Sequence, residues 1–266
     1  MTDTATPGKR AWVEQIMGMP ISIHLRGPGL TRGETAVDDA RSGTIDAAVT
    51  AAFESLREVD ATFSTYRADS PISRLARGEL RLRDAAAQVR EVARLCDEAR
   101  QITEGWFDAD RPDGAGGHSF DPTGLVKGWA VQRVCAQLAA VLPEHDVLVN
   151  AGGDIAVWCA REDGEPWRLG VENPLDRTTV LATIELRAGG LATSGTAARG
   201  DHIYSPATGS AATELASVSV IGPSLMWADV YATAAFARGA GAADWLRTLA
   251  DHTWLVVTPD GEIRSG

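Results

Sequence analysis

DPTGLVKGWAVQRVCAQLAAVLPEHDVLVNAGGDIAVWC, residues 121–159, is the stretch whose reading decides the fold. A Pro/Gly turn at Asp121-Pro122-Thr123-Gly124 feeds a helix predicted from about Val126 to Leu142. Two short apolar runs follow, joined by Asn150-Ala151-Gly152-Gly153-Asp154, and residues of these types favour a hairpin turn. Two consecutive glycines would also let a ligand approach the backbone closely. Upstream, Trp12 to Leu25 reads as one strand with a bulge or tight approach at Gly18, and Arg26 to Gly43 as a Gly-rich, charged loop. Thr44 caps a predicted helix running to about Asp60, with Ile45, Ala48, Ala52, Leu56 and Val59 on one stripe. FSTYRADSPISRL (63–75) is a Ser-rich connection, and a second amphipathic helix follows Asp84 and ends at Gly105. Downstream, strands are predicted near Trp167–Val171, Val180–Leu186, Ser217–Gly222 and Thr253–Thr258, and 191–209 reads as a Ser/Thr/Gly loop. Ser224 caps the Ala-rich helix that stops at Gly239. Helices and strands thus alternate irregularly, with several hairpin-like pairs. The expectation is an α+β fold, a mixed and largely antiparallel sheet with packed helices, as one domain over 1–266 with room for two lobes.

The bulk composition limits the partners. The chain has 266 residues and a net charge of −11. That balance argues against a nucleic-acid partner or insertion at an anionic membrane surface, both of which need local positive charge. An anionic ligand would have to be held by a local device. Cys96, Cys135 and Cys159 show no CxxC spacing, and the first two lie on apolar helix faces, as buried reduced thiols do. The N-terminal segment shows no apolar run or lipobox cysteine, and no stretch approaches the roughly 20 apolar residues of a membrane span. A soluble, cytoplasmic protein is expected.

Common nucleotide signatures are absent: there is no GxxxxGK[ST], no GxGxxG behind a strand and no GxSxG. DPTGLVKGW offers a different anion device, with Lys127 expected in the first turn of its helix. A solvent-facing lysine beside an ordinary turn fits the same residues equally well. Asp229 and Thr233 are four apart on a predicted helix, and together they are hard oxygen donors of the kind Mg²⁺ takes. Spacing alone fits a polar pair on a partly exposed helix better. The apolar flanks, from Leu225 to Phe236, argue that the carboxylate is buried and needs a partner. His202 lies in the Ser/Thr/Gly loop, where an imidazole near a phosphate or metal serves as a general base. The other four histidines have no ligand-like spacing, so zinc is not expected.

Taken in order, these blocks resemble the flavin transferases of the ApbE type, the FAD:protein FMN transferases. Met17-Gly18-Met19 is similar to the family's MGT, FSTYRADSPISRL to its FSTYxxxSxxSxxN, and Trp106-Phe107-Asp108 to its GAFD segment. DPTGLVKGW resembles its Asp-x-x-Gly/Ala-x-x-Lys-Gly block, VNAGGDI its glycine turn, TSGTAARGDHIYSPATG its TSGxxxxxxHIxDPxTG, and MWADVYATAAFARG its AD-x-x-x-T helix. The resemblance implies an ApbE-like, T-fold-like architecture and an enzyme using Mg²⁺, with FAD as substrate. Asp229 and Thr233 would hold the metal with the carbonyl of Gly124. Met17, Tyr66, Trp106, Phe107, Asp108, Asp121, Lys127 and Ile203 would contact FAD. His202 would take the proton from a threonine hydroxyl of an acceptor protein, to which FMN is transferred with release of AMP. Three positions depart from the pattern: Ser205 stands for the family's Asp, Ala76 for its Asn and Met19 for its Thr. FAD pyrophosphatase activity and non-catalytic flavin binding are the competing readings.

Overall fold

The computed structural model describes residues 8–30, 36–112, 117–195, 203–206 and 209–266. The helix read at its centre is there, α4 at Thr123–Val141, starting a turn earlier than expected. It leads into strands β5 (Asp146–Ala151) and β6 (Asp154–Trp158), which pair antiparallel across the Gly152-Gly153 turn. Both glycines have positive φ, which side-chain-bearing residues adopt only at a cost.

The expected single strand at Trp12–Leu25 is instead a hairpin of β1 (Gly8–Ile16) and β2 (Met19–Gly27). Ile16 pairs with Met19, so the loop is two residues, and Met17 and Gly18 have φ of 55° and 72°. Positive φ at both positions is the type I′ geometry that matches strand twist, so Gly18 is a turn and not a bulge. Helix α1 spans Ala36–Phe63, so part of the segment read as a loop is helical. The connection 63–75 holds a short helix, α2 (Pro71–Ala76), capped by Ser70 with Pro71 in its first turn. Helix α3 (Ala87–Ile102) buries the predicted stripe from Val89 to Ala99. Two short strands, β3 (Asp110–Pro112) and β4 (His118–Phe120), precede α4.

In the second half, β7 (Trp167–Glu172) and β8 (Val180–Leu186) form a separate hairpin. Strand β9 (Ala188–Gly195) lies within what the sequence presents as the start of a loop. Its run of Ala, Gly, Ser and Thr is a central strand because a helix presses on it. A Cβ on Gly190 would fall 2.5 Å from Leu225 Cβ and 2.7 Å from its Cα. That helix is α5 (Leu225–Arg238), capped by Ser224 and stopped at Gly239. The short pair β10 (Tyr204–Ser205) and β11 (Ser210–Ala211) comes between, followed by β12 (Ser217–Gly222). Helix α6 (Ala242–Leu246) and strands β13 (Thr253–Val257) and β14 (Ile263–Ser265) close the chain.

The main sheet has eight strands in the order β1-β2-β5-β6-β9-β12-β13-β14, and all its described pairs are antiparallel. One large apolar core joins the sheet to α1, α3, α4 and α5, and a smaller cluster lies under β7 and β8. No described helix is long and apolar enough to cross a membrane. Cys96 and Cys135 are buried, as expected, and burial pushes each thiol up to about 12.

Two outcomes follow from this packing. Gly190→Ala forces α5 off β9 and should cost about 1–3 kcal/mol, a fall in Tm of roughly 2–10 °C for a domain of this size. Calorimetry checks it, and an unchanged Tm would refute the close approach. At pH 8 a thiol reagent should titrate at most one of the three cysteines in the native chain and all three after unfolding; rapid labelling of two in native protein would contradict the burial.

Candidate functional site

The register puts three features at one end of the main sheet. Ile21 pairs with Ala151, so the Met17-Gly18 turn lies beside the Gly152-Gly153 turn. Met19 Sδ would lie 3.1 Å from a Cβ on Gly152. Ile155 pairs with Leu191, which brings Asp154 and the end of β9 to the same edge. The N-terminal turns of α4 run into this edge, and α5 packs against α4 there. A Cβ on Gly128 would sit 3.0 Å from Met226 Cα and 3.1 Å from Asp229 Cβ.

Four buried polar side chains, Asp229, Thr233, Ser194 and Asp154, meet the half-buried Lys127 at this crossing. Asp229 and Thr233 lie on successive turns of α5, 3% and 9% exposed. Thr233 Oγ1 is 3.2 Å from Ser194 Oγ. Lys127, one turn inside α4 and not in its first turn, places Nζ 3.8 Å from Asp229 Oδ1. Its closer partner is Asp154 Oδ2, in an ion pair without hydrogen-bond alignment. Asp154 is 1% exposed, and its Oδ1 accepts a hydrogen bond from the Thr193 amide at 3.0 Å. The sequence reading missed Asp154. The signal was present, as an acidic residue ending a Gly-Gly turn at the start of a strand, but turn propensity already explained it.

A second wall comes from the turn after α3. Glu104 and Gly105 both have positive φ and redirect the chain. Thr103, fully buried, donates from Oγ1 to the Ala99 carbonyl at 2.7 Å and accepts from the Phe107 amide at 3.0 Å. Arg238, at the end of α5, lies between the Trp106 and Trp245 rings, 5.2 and 5.1 Å from their centroids, and pairs with Glu104 at 2.7 Å. Asp108 pairs with Arg100 at 2.9 Å and accepts from the Asp110 amide. Trp106, Phe107, Asp108, His118, Tyr204 and Thr233 face a common cleft of about 210 Å³. His118 stands 3.1 Å from Asp110 in its rim. Thr233 therefore belongs both to the buried polar group and to the cleft lining.

The remaining predicted residues are spread more widely. Asp121 Oδ1 accepts from the Thr123 amide at 3.0 Å and so braces the first turn of α4. Gly124 leaves room there for Phe107, whose ring would lie 3.2 Å from an added Cβ. Met17 is half-buried in its hairpin turn, and Ile203 is buried with its carbonyl bonded to the Ala212 amide. Tyr66 is 98% exposed and lines no part of the cleft. His202 lies outside the described residues.

The donor set suits a hard divalent cation. Asp229 and Thr233 supply oxygens from one helix face, and Gly124 lies on the neighbouring helix beside Phe107. Among the described residues no three His, Cys, Asp or Glu side chains converge as a metal cluster. Two side-chain oxygens on one helix face would suit an ion that takes few protein ligands and completes its shell with water or phosphate oxygens.

Fold and site together define an antiparallel α+β domain with a buried carboxylate–hydroxyl–ammonium cluster beside an aromatic cleft. The chain belongs to the ApbE family, whose model matches residues 17–110 and 113–255. It is 33% identical over 129 residues to the FAD:protein FMN transferase of Vibrio cholerae, covering 45% of this chain and 38% of that protein. With the Klebsiella pneumoniae protein of the same name it shares 32% identity over 168 residues, 58% of this chain and 46% of that one. The matched stretch thus spans less than half the length of each of these relatives. Its fold is similar to that of the ApbE protein of Thermotoga maritima, with a TM-score of 0.77 at 19% identity over 97% of this chain and 96% of that one. The flavin transferase ApbE of Vibrio cholerae gives 0.75 at 22% identity over 98% and 97%.

Thr103→Val should leave the buried Phe107 amide without its acceptor and cost about 1–3 kcal/mol. Urea denaturation measures it; a variant as stable as the parent would show that the Trp106–Asp108 wall is not held by this hydroxyl.

Proposed function

We propose that this chain transfers FMN from FAD to a threonine hydroxyl of an acceptor protein, releasing AMP, with Mg²⁺ held at the α4–α5 crossing. The observation that carries the reading is the buried Asp229–Thr233 pair beside Lys127, opening on a cleft walled by Trp106 and Phe107. The name shared by the relatives supports the same activity, FAD:protein FMN transfer.

Asp229, Thr233 and the Gly124 carbonyl would hold the metal. When bound, Mg²⁺ supplies charge neutralisation at a pyrophosphate and stabilises the departing phosphate. Lys127 adds a second positive charge next to the same group, so that an acidic chain can hold an anionic dinucleotide locally. Trp106, Asp108 and the buried Phe107 and Ile203 would shape the flavin-side wall, with Met17 and Asp121 at its edges. Tyr66, being exposed, would contact FAD where the ligand extends over the surface. His202 would accept the threonine proton as Oγ attacks the FMN-side phosphorus. The new P–O bond joins FMN to threonine, and the old bridging P–O bond breaks, leaving with AMP.

Incubation with FAD, Mg²⁺ and a flavin-acceptor domain, with and without EDTA, tests this. EDTA-sensitive AMP together with an FMN mass adduct on an acceptor threonine is the expected result. AMP with free FMN and no adduct would replace transfer by FAD hydrolysis, and FAD binding without AMP would leave a flavin-binding protein. Asp229→Ala should lower turnover by at least ~10²-fold through lost electrostatic stabilisation; normal FAD turnover by this variant would refute the metal assignment. His202→Ala should keep FAD affinity while losing about 10²–10⁴-fold in transfer, the range for a general base. Loss of FAD affinity instead would place His202 among the binding residues.

A further inference from the structure

Arg238 has no part in the roles just assigned, yet it joins the two halves of the proposed site. It is the last residue of α5, the helix that carries Asp229 and Thr233, and its side chain reaches the turn after α3 that carries Trp106. It has two grips on that turn. Nη2 lies 2.7 Å from Glu104 Oε2, and the guanidinium carbon stands 5.2 Å from the centre of the Trp106 ring. Trp245 of α6, 8% exposed, meets the same guanidinium at 5.1 Å. The Arg238 side chain is 17% exposed and lines no part of the cleft that Trp106 faces.

The geometry suits arginine better than lysine. A planar guanidinium can offer its face to an indole and its edge to a carboxylate at once, which a compact ammonium cannot. A cation within about 6 Å of a ring centre is attracted to it, the more strongly where water is kept away. Trp106 is only half-buried, and an indole on a turn has several staggered rotamers to choose among. Thr103 braces the backbone of this turn through the Phe107 amide, but that bond leaves the side-chain torsions of Trp106 free.

We propose that Arg238 is a positioning residue: it holds the Trp106 indole at a fixed place relative to Thr233 and Asp229 on its own helix, and so sets the affinity for a flavin ring against that wall. The inference rests on the reading of Trp106 as a flavin contact. It adds that the flavin wall and the phosphate end of the site hang on one helix.

Arg238→Met tests it, because methionine keeps part of the stem and removes the planar cation. The Glu104 carboxylate left behind is 68% exposed and stays solvated. FAD binding is measured at equilibrium by calorimetry, without acceptor. Arg238→Met should weaken it about three- to tenfold, the size of a coupling between contacting side chains. In a Trp106→Ala background the same substitution should change affinity by less than about twofold, because there is no ring left to hold. Equal losses in both backgrounds would mean that Arg238 acts on α5 as a whole and would overturn the proposal. If Arg238→Met does not fold, Arg238→Lys carries the test. It retains the charge but cannot face ring and carboxylate together, so it should bind FAD at least about twofold more weakly than the parent; parental affinity would overturn the proposal. Failure of the parent chain to bind FAD, or a Trp106→Ala variant that binds it as tightly as the parent, would remove the flavin-wall reading and this inference with it. FAD binding that depends on Trp106 but not on Arg238 would remove this inference alone.

Discussion

The site depends on how closely α5 is pressed onto its neighbours. Twelve of its fourteen residues are buried, and a helix buried on nearly every side is ordinarily apolar on every side. Gly128 lets α4 approach its backbone, and Gly190 lets β9 do the same from the sheet. This embedding carries Asp229 and Thr233 into the interior. A carboxylate there costs several kcal/mol unless charge and hydrogen bonds compensate it. Lys127 of α4, with its ammonium 3.8 Å from Asp229 Oδ1, and Ser194 of β9, which meets Thr233, contribute to that compensation from two different elements. Loosening either glycine contact would therefore disturb the fold and the electrostatics together.

The same embedding bears on how a chain of net charge −11 would present the proposed site to an anion. The surface charge is screened within about 8–10 Å at physiological ionic strength. Charges inside the crossing are screened far less, so the half-buried Lys127 ammonium, together with a cation where one is held, would outweigh many exposed carboxylates. The bulk charge seen in composition speaks to partners that contact the surface broadly. It says little about a ligand held by a few buried groups.

Legibility in the sequence followed this distinction between local and non-local causes. Helices α4 and α5, their turn at 121–124 and cap at Ser224, and the Gly152-Gly153 hairpin were readable because their signals lie within a few residues of one another. The hairpin at Met17-Gly18 was misread because Met is an unusual occupant of a positive-φ turn position. Strand β9 was misread because its Gly, Ala and Ser content reflects a helix 35 residues later in the chain pressing on Gly190, a tertiary fact invisible in a local window. Asp154 was passed over for a related reason. Its turn role is local, while its pairing with Lys127 depends on the packing of α4 over β6.

The departures from the family pattern can be weighed with the same physics. Ser205, where the family carries an acid, lies in the β10–β11 ladder, 6% exposed, with its carbonyl bonded to the Gly209 amide. A carboxylate at so buried a position would need its own counter-charge, and serine removes that demand while the backbone pairing persists. Met19 and Ala76 bring no charge either: Met19 is buried against Gly152, and Ala76 ends the short helix α2. None of the three residues that stand here adds a charge to Asp229, Lys127 and Asp154, and Ser205 keeps its place in the β10–β11 ladder through backbone bonds alone.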